Sequence, residues 1–186
     1  MPARARLRLA WLAALGLLAG CASSAVTLEQ YTDWDRAGGC NGAVTGPWGV
    51  SLAGTALGPC MFPKRFVWIT YDALWCKSCD RQTHQSHTAA QQAAKDTVFV
   101  TVLSGGREAD QSASARQMRA WADEHGLDPR HVVAEGATGR TLPQHALIGP
   151  DGRTWLRQLG HLDAGEILAT IDAFRRGDRL PPVFAQ

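Results

Sequence analysis

Residues 66–103, FVWITYDALWCKSCDRQTHQSHTAAQQAAKDTVFVTVL, decide how this chain folds. Phe66 to Tyr71 is a short, almost wholly apolar run rich in β-formers, the pattern of a strand covered on both faces. Val98 to Leu103 (VFVTVL) is a second run of the same kind. Between them, residues 79–94 lack Gly and Pro and place small side chains at Ser86, Ala90 and Ala93, which predicts a closely packed helix. Strand, helix and strand in this order make a parallel βαβ unit with a right-handed crossover.

The chemistry sits at the join of the first strand and the helix, in Trp75-Cys76-Lys77-Ser78-Cys79. That spacing puts one sulfur at the helix N-terminus and the other one turn inside. Unpaired backbone N–H groups and the helix dipole favour the thiolate of Cys76, and Lys77 adds a positive charge nearby. Cys76 is therefore the candidate nucleophile and Cys79 the thiol that resolves the mixed disulfide. The cycle needs no cofactor. Structural zinc usually requires four ligands and no second Cys pair of this spacing exists, while a purely structural bridge over so small a loop yields little entropy. His84 and His87, one helical turn apart, leave open a copper or zinc carrier that uses the same thiols, set against a solvated helix face.

Further elements follow outward. Ser112 to His125 reads as a helix with Ala115, Met118, Trp121 and Ala122 on one face and Gly126 as its stop. His131 to Ala134 is a short strand. His145–Ile148 and Thr154–Leu159 flank Pro150-Asp151-Gly152 as two antiparallel strands joined by a turn. The last helix opens with a capping box, Asp163 with Glu166, stapled by Leu162 and Ile167, and buries Ile167, Leu168, Ile171 and Phe174. Pro181-Pro182 marks an irregular tail.

The Trp-Cys-x-x-Cys motif with its flanking elements, over about Phe66 to Phe174, resembles the thioredoxin-like superfamily, in particular exported, anchored reductases of cytochrome c maturation and related periplasmic thioredoxins. Pro143 in Thr141-Leu142-Pro143 resembles the family's cis-proline, and Ile148 to Gly152 the strand and turn that come after it. The resemblance implies an α/β thioredoxin-like fold: a central mixed sheet, the βαβ unit plus a C-terminal antiparallel hairpin, flanked by helices. It also implies a substrate groove shaped by Trp75, Leu142 and Pro143. The chain departs from the pattern in three places. Where many thioredoxins carry a buried carboxylate this chain has Thr70, with Asp72 the nearest carboxylate to Cys76; His145 stands two positions after the proline; and the preceding helix looks shortened to Gly136–Arg140.

Upstream, Arg4, Arg6 and Arg8 precede an apolar run from Leu9 to Leu18, an export signal too short to span a bilayer comfortably. Leu18-Ala19-Gly20-Cys21 resembles the lipobox of bacterial lipoproteins, which implies cleavage before Cys21 and lipid on its thiol; the rival is an ordinary signal cut near Ala25. Ala22 and Ser23, rather than Asp, imply outer-membrane sorting if the source is Gram-negative. Residues 21–60 form a tether and Gly-rich extension, with a short hairpin expected around Gly46-Pro47. The domain proper spans residues 61–178, and residues 179–186 are the tail.

Of five cysteines, Cys21 goes to lipid and the other four group as Cys40 with Cys60 and Cys76 with Cys79, in a compartment where disulfides persist. A Cys40–Cys60 bridge is read as structural, with a second redox pair as the rival reading. Without the leader the chain has sixteen basic against seventeen acidic residues, so no electrostatic case for nucleic acid remains. The expected function is a cell-envelope thiol:disulfide oxidoreductase acting on disulfide-bearing exported proteins and served by a membrane thiol donor or acceptor. A metal carrier and a redox-silent adaptor are the alternatives.

Overall fold

The computed structural model describes residues 49–136 and 141–178. Phe66–Asp72 forms β3, the middle strand of a five-stranded sheet whose other strands are Thr97–Leu103 (β4), Val132–Ala134 (β5), Gln144–Ile148 (β6) and Thr154–Leu159 (β7), in the order β5-β4-β3-β6-β7. Every residue of β3 is buried, as its almost wholly apolar run predicts, and the burial takes in the polar Thr70 and Asp72 as well. Thr97–Leu103 (β4) pairs with it in parallel, from Phe66 opposite Thr97 to Asp72 opposite Leu103. Val132–Ala134 (β5) continues the parallel half beyond β4. On the other side Gln144–Ile148 (β6) and Thr154–Leu159 (β7) run antiparallel, joined by the expected turn at Gly149–Arg153. The sheet is therefore mixed, with the βαβ unit and the hairpin on opposite sides of one central strand.

Three helices are described: α1 (Lys77–Gln92), α2 (Ala115–His125) and α3 (Ala164–Arg176). Side chains alternate across a strand, so the two faces of β3 bury different partners. Phe66 and Trp68 pack with Ala89 of α1, Leu147, Leu156, and Ile167 and Ile171 of α3. Leu103 and Val132, on that same face, receive Met118, Trp121 and Ala122 of α2. All three described helices thus cover one face. The opposite face joins Val67, Ile69 and Tyr71 to Val98, Val100, Val102, Ala146 and Ile148, and its cover among the described residues comes from Leu57, Phe62 and Leu142.

Both helix-start signals take a definite form. Asp163 and Glu166 make the capping box reciprocally, and Leu162 and Ile167 are buried in one cluster as the staple predicts. The second helix begins at Ala115 rather than at Ser112, because Ser114 and Gln117 form a capping box of their own. Gly126 ends it in the left-handed conformation (φ 65°), as expected of a glycine stop. On α1 the inward positions are Cys79, Gln82, Thr83, Ser86 and Ala89. Of the small residues expected inside, Ser86 is buried, whereas Ala90 and Ala93 lie half-exposed.

Within the extension, Gly49–Val50 (β1) and Ala56–Leu57 (β2) make a small antiparallel ribbon whose turn is at Ser51–Thr55. The hairpin site expected at Gly46-Pro47 lies outside the described residues, as do Cys21, Cys40, residues 137–140 and the tail. Ser51 bridges Val133, and the Leu52 N–H donates to the Val132 carbonyl at 3.0 Å, so the ribbon covers the free edge of β5. A Cβ on Gly49 would fall 2.3 Å from Val133 Cγ1; only glycine allows that approach.

Ile171 is 1% exposed and fills the interior between α3 and the sheet, whereas Asp163 acts only at the helix end. Ile171→Ala is expected to cost about 2–5 kcal/mol and Asp163→Ala about 1 kcal/mol in urea unfolding of the oxidised protein. Comparable losses from the two variants would contradict this placement of α3.

Candidate functional site

The site forms where the parallel strands end. The Ser104 N–H donates to the Asp72 carbonyl at 2.8 Å and the Leu74 N–H to the Gly105 carbonyl at 3.4 Å, which pins the loop after β3 to the loop after β4. Ala73 is fully buried and its carbonyl accepts from the Cys76 N–H at 3.1 Å. The chain therefore enters α1 with little freedom. Cys76 is the N-cap in extended conformation, and Cys79 lies in the first turn.

Cys76 and Cys79 form a disulfide, with S–S 2.07 Å and Cα atoms 5.2 Å apart. Their environments differ: Cys76 is 6% exposed at the rim, and Cys79 is 0% exposed beneath it. Both pack with Ala73, and Leu142 closes over the cluster. The Leu142–Pro143 peptide is cis, as the resemblance implied. Trp75, 37% exposed, lies over Gly105, where a Cβ would come within 2.7 Å of the indole Nε1. Leu142 and the adjoining Pro143 thus sit beside the cysteines, with Trp75 immediately before them in the loop.

Polar groups line the underside of α1. Thr70, at the place where many thioredoxins carry a carboxylate, pairs its hydroxyl with Ser86 Oγ at 2.9 Å, and Gln82 Nε2 donates to the same Ser86 oxygen at 3.3 Å. Gln82 Oε1 accepts the Leu162 N–H at 2.8 Å and so ties α1 to the start of α3. The buried carboxylate is instead Asp72. Thr83, one helical turn after Cys79 on the same inward face, donates to Asp72 Oδ2 at 2.7 Å. Oδ1 has no partner among the described residues. Burial pushes the Asp72 carboxyl up to about 7, opposed in part by the Thr83 hydrogen bond.

His145 lies opposite Thr70 in the β3–β6 pair, fully buried against the Trp68 ring. Its Nε2 is 3.1 Å from the Gly160 carbonyl, which only accepts, so Nε2 carries the proton. Burial draws the imidazole down to about 3, and it is neutral throughout the physiological range.

The histidines considered for metal lie elsewhere on α1: His84 is exposed, and His87 Nε2 pairs with the Gln91 amide at 2.8 Å. Among the described residues no group of three His, Cys, Asp or Glu side chains is placed to hold a metal ion. Cys60 is disulfide-bonded, while its expected partner lies outside the described residues. Reading the sequence missed Ser78, Thr83 and Ser86 as contacts of the site. For Thr83 and Ser86 the signal was present: small polar residues four and seven positions after Cys79, on the face of a helix that must be buried.

No family model matches the sequence, and no curated protein matches it significantly. Solved structures do. An exposed lipoprotein thioredoxin of Streptococcus pneumoniae is 22% identical, with TM-score 0.55, over 70% of this chain and 98% of its own. A secreted disulfide oxidoreductase of Mycobacterium tuberculosis is 12% identical, with TM-score 0.54, over 67% and 93%. StoA of Bacillus subtilis is 15% identical, with TM-score 0.53, over 68% and 95%. At these identities the likeness shows the fold, which is thioredoxin-like.

The raised carboxyl of Asp72 ties stability to pH with a definite sign. Native Asp72 holds its proton up to about 7 against an ordinary value of 3.8. Below about pH 4 both states are protonated and Asp72 has no effect; between pH 4 and 7 the unfolded chain ionises first and stability falls, by about 4 kcal/mol in full. Asp72→Asn lacks this loss. In urea unfolding of the oxidised protein it should lie close to wild type at pH 4 and above it at pH 8; parallel pH profiles for the two proteins would contradict the assignment.

Proposed function

We propose that this chain is a thiol:disulfide oxidoreductase of the cell envelope, cycling Cys76 and Cys79 between dithiol and disulfide. The observation that carries the reading is the asymmetry of the pair: a rim cysteine at the N-cap of α1 bonded to a buried one, beside cis-Pro143. The sulfur at the helix N-terminus, which keeps a small opening to solvent, is the one able to attack, and its fully sealed neighbour is the one able to resolve.

In the reducing direction the Cys76 thiolate attacks one sulfur of a substrate disulfide. That bond breaks, and the first substrate thiolate leaves and takes a proton from solvent. Cys79 then loses its proton and attacks Cys76 Sγ, expelling the second substrate thiolate and restoring the intramolecular disulfide. Two electrons pass to the substrate. Asp72, held near 7 and bonded to Thr83 one turn below Cys79, is suited to take the Cys79 proton at this step. The reverse sequence oxidises a dithiol substrate. Trp75, Leu142 and Pro143 form the groove for the substrate chain, and the chemistry calls for no cofactor.

The charged and apolar leader, with Cys21 after it, supports export and a lipid anchor on the periplasmic side of a bacterial membrane, with outer-membrane sorting read from Ala22 and Ser23 if the source is Gram-negative. In that setting the substrates are exported proteins with disulfides, and a membrane thiol donor or acceptor resets the pair. Cys40 is the structural partner of Cys60.

Equilibration with glutathione tests the reading and sets the direction. A single two-electron transition is expected, with a value near or below about −200 mV marking a reductase and one near −120 mV an oxidant. Cys76→Ser should abolish insulin disulfide reduction, and Cys79→Ser should accumulate mixed disulfides on Cys76. Absence of the transition in the unaltered protein would overturn the proposal.

A further inference from the structure

Helix cover over the sheet is incomplete between α1 and α2. Val98, Val100 and Val102 belong to the opposite core, so Thr97, Phe99 and Thr101 face the helices. Phe99 is nevertheless half-exposed, although β4 lies inside the sheet. β5 pairs with β4 only from Thr101 onward, which leaves Thr97 to Phe99 without a neighbouring strand on that side among the described residues. A cavity of about 330 Å³ opens here, between the second half of α1, β4 and residues 126–131, within the range of about 300–1,000 Å³ common for ligand sites. Neither cysteine of the disulfide lines it.

Three groups on its wall have no partner. Thr101 is 7% exposed, and its hydroxyl makes no hydrogen bond among the described residues. A buried hydroxyl left unpaired costs free energy that an isosteric valine avoids, so it calls for a partner from within the cavity. His131 is half-buried, stands edge-on to the Phe62 ring at 5.7 Å and likewise makes no hydrogen bond; burial draws its imidazole below the ordinary value. The third is Arg65, exposed and without an ion pair or hydrogen bond from its guanidinium among the described residues. Asp128, the carboxylate on the same wall, is held by Arg130 Nε and Nη2 at 2.9 and 2.5 Å, so the charge left unanswered is positive. Other polar groups on the wall are engaged: Ser86 with Thr70 and Gln82, and His87 with Gln91.

We propose that this cavity binds a small organic monocarboxylate that carries a second polar group at the far end of an apolar body. The spacing follows from the register. Arg65 directly precedes Phe66, which pairs with Thr97, and Thr101 stands four residues farther along β4, roughly 13 Å by backbone rise and less once the Arg65 side chain reaches inward. The carboxylate meets the Arg65 guanidinium, the body lies over Phe99 and Leu127, and the far group bonds the Thr101 hydroxyl. The neutral imidazole of His131, able to donate or accept, adds a hydrogen bond along the wall. Binding is non-covalent and independent of the disulfide chemistry at Cys76.

The test is a ligand-observed NMR titration of the full-length protein in detergent at pH 7.5 (a pH at which about all of the probe acid is ionised), with protein-free micelles as the blank. The probes are para-hydroxyphenylacetate, its neutral amide, and phenylacetate, which lacks the far hydroxyl. Wild type should bind para-hydroxyphenylacetate with Kd of about 1 mM or tighter and the amide about tenfold more weakly. Arg65→Gln, at an exposed position, should bring the acid down to the level of the amide. Thr101→Val should weaken para-hydroxyphenylacetate about two- to tenfold, leave phenylacetate unchanged, and unfold in urea no earlier than wild type, which a hydroxyl kept only for packing would not do. No binding by wild type above the blank, an amide bound as tightly as the acid, or Arg65→Gln and Thr101→Val both binding like wild type would overturn the proposal. Should Thr101→Val fail to fold, the acid-to-amide ratio in wild type and Arg65→Gln still decides.

Discussion

Burial of β3 on both faces is the constraint on which the rest of the molecule depends. No residue from Phe66 to Asp72 lies open to solvent, and each neighbouring strand takes its register from this one. Because β4 runs parallel and β6 antiparallel to it, one end of β3 gathers the start of α1, the loop after β4 and the cis-proline before β6. The cysteines are placed by that convergence. A strand exposed on one face would leave α1 with less apolar surface to dock on, and the rim position of Cys76 would not be held.

The interior beneath α1 is more polar than packing alone would favour. Gln82, Thr83 and Ser86 occupy inward positions, and Asp72 is a carboxyl shielded wholly from water. A buried acid with one oxygen unpartnered costs stability once it ionises, and the Thr83 hydrogen bond offsets part of that cost. A conflict of this kind between local chemistry and core packing is characteristic of a working site. Thr70, the position that carries a carboxylate in many thioredoxins, is satisfied by a hydroxyl pair with Ser86. Two residues along the same face of β3, Asp72 places the buried carboxyl that Thr70 lacks.

The extension contributes in a different way. The three described helices lie on one face of the sheet, and the residues before β3 supply cover for the other through Leu57 and Phe62, while β1 protects the β5 edge. Cys60, which is disulfide-bonded, lies in the same segment. What composition alone marks as a Gly-rich, loop-rich extension packs against the sheet from Gly49 onward.

Signals that depend on near neighbours in the chain were legible in the sequence by itself. The Cys-x-x-Cys spacing, the apolar runs of β3 and β4, the turn between β6 and β7 and the Asp163–Glu166 capping box each involve residues a few positions apart, and the cis-proline was marked by a motif of equal length. The starts of helices were less certain, because Ser112 and Ser114 are both able to cap and only the Gln117 partner decides between them. Tertiary structure alone decided which groups meet across the fold: Thr83 with Asp72, Gln82 with the Leu162 backbone, and Leu142 over the two sulfurs. It also decided that a hydroxyl inside the motif, rather than the backbone of the first turn, reaches Cys76. Charge and polarity are written in a sequence residue by residue, but desolvation and hydrogen bonding are properties of the packed surroundings, so the raised pKa of Asp72 exists only once the chain has folded.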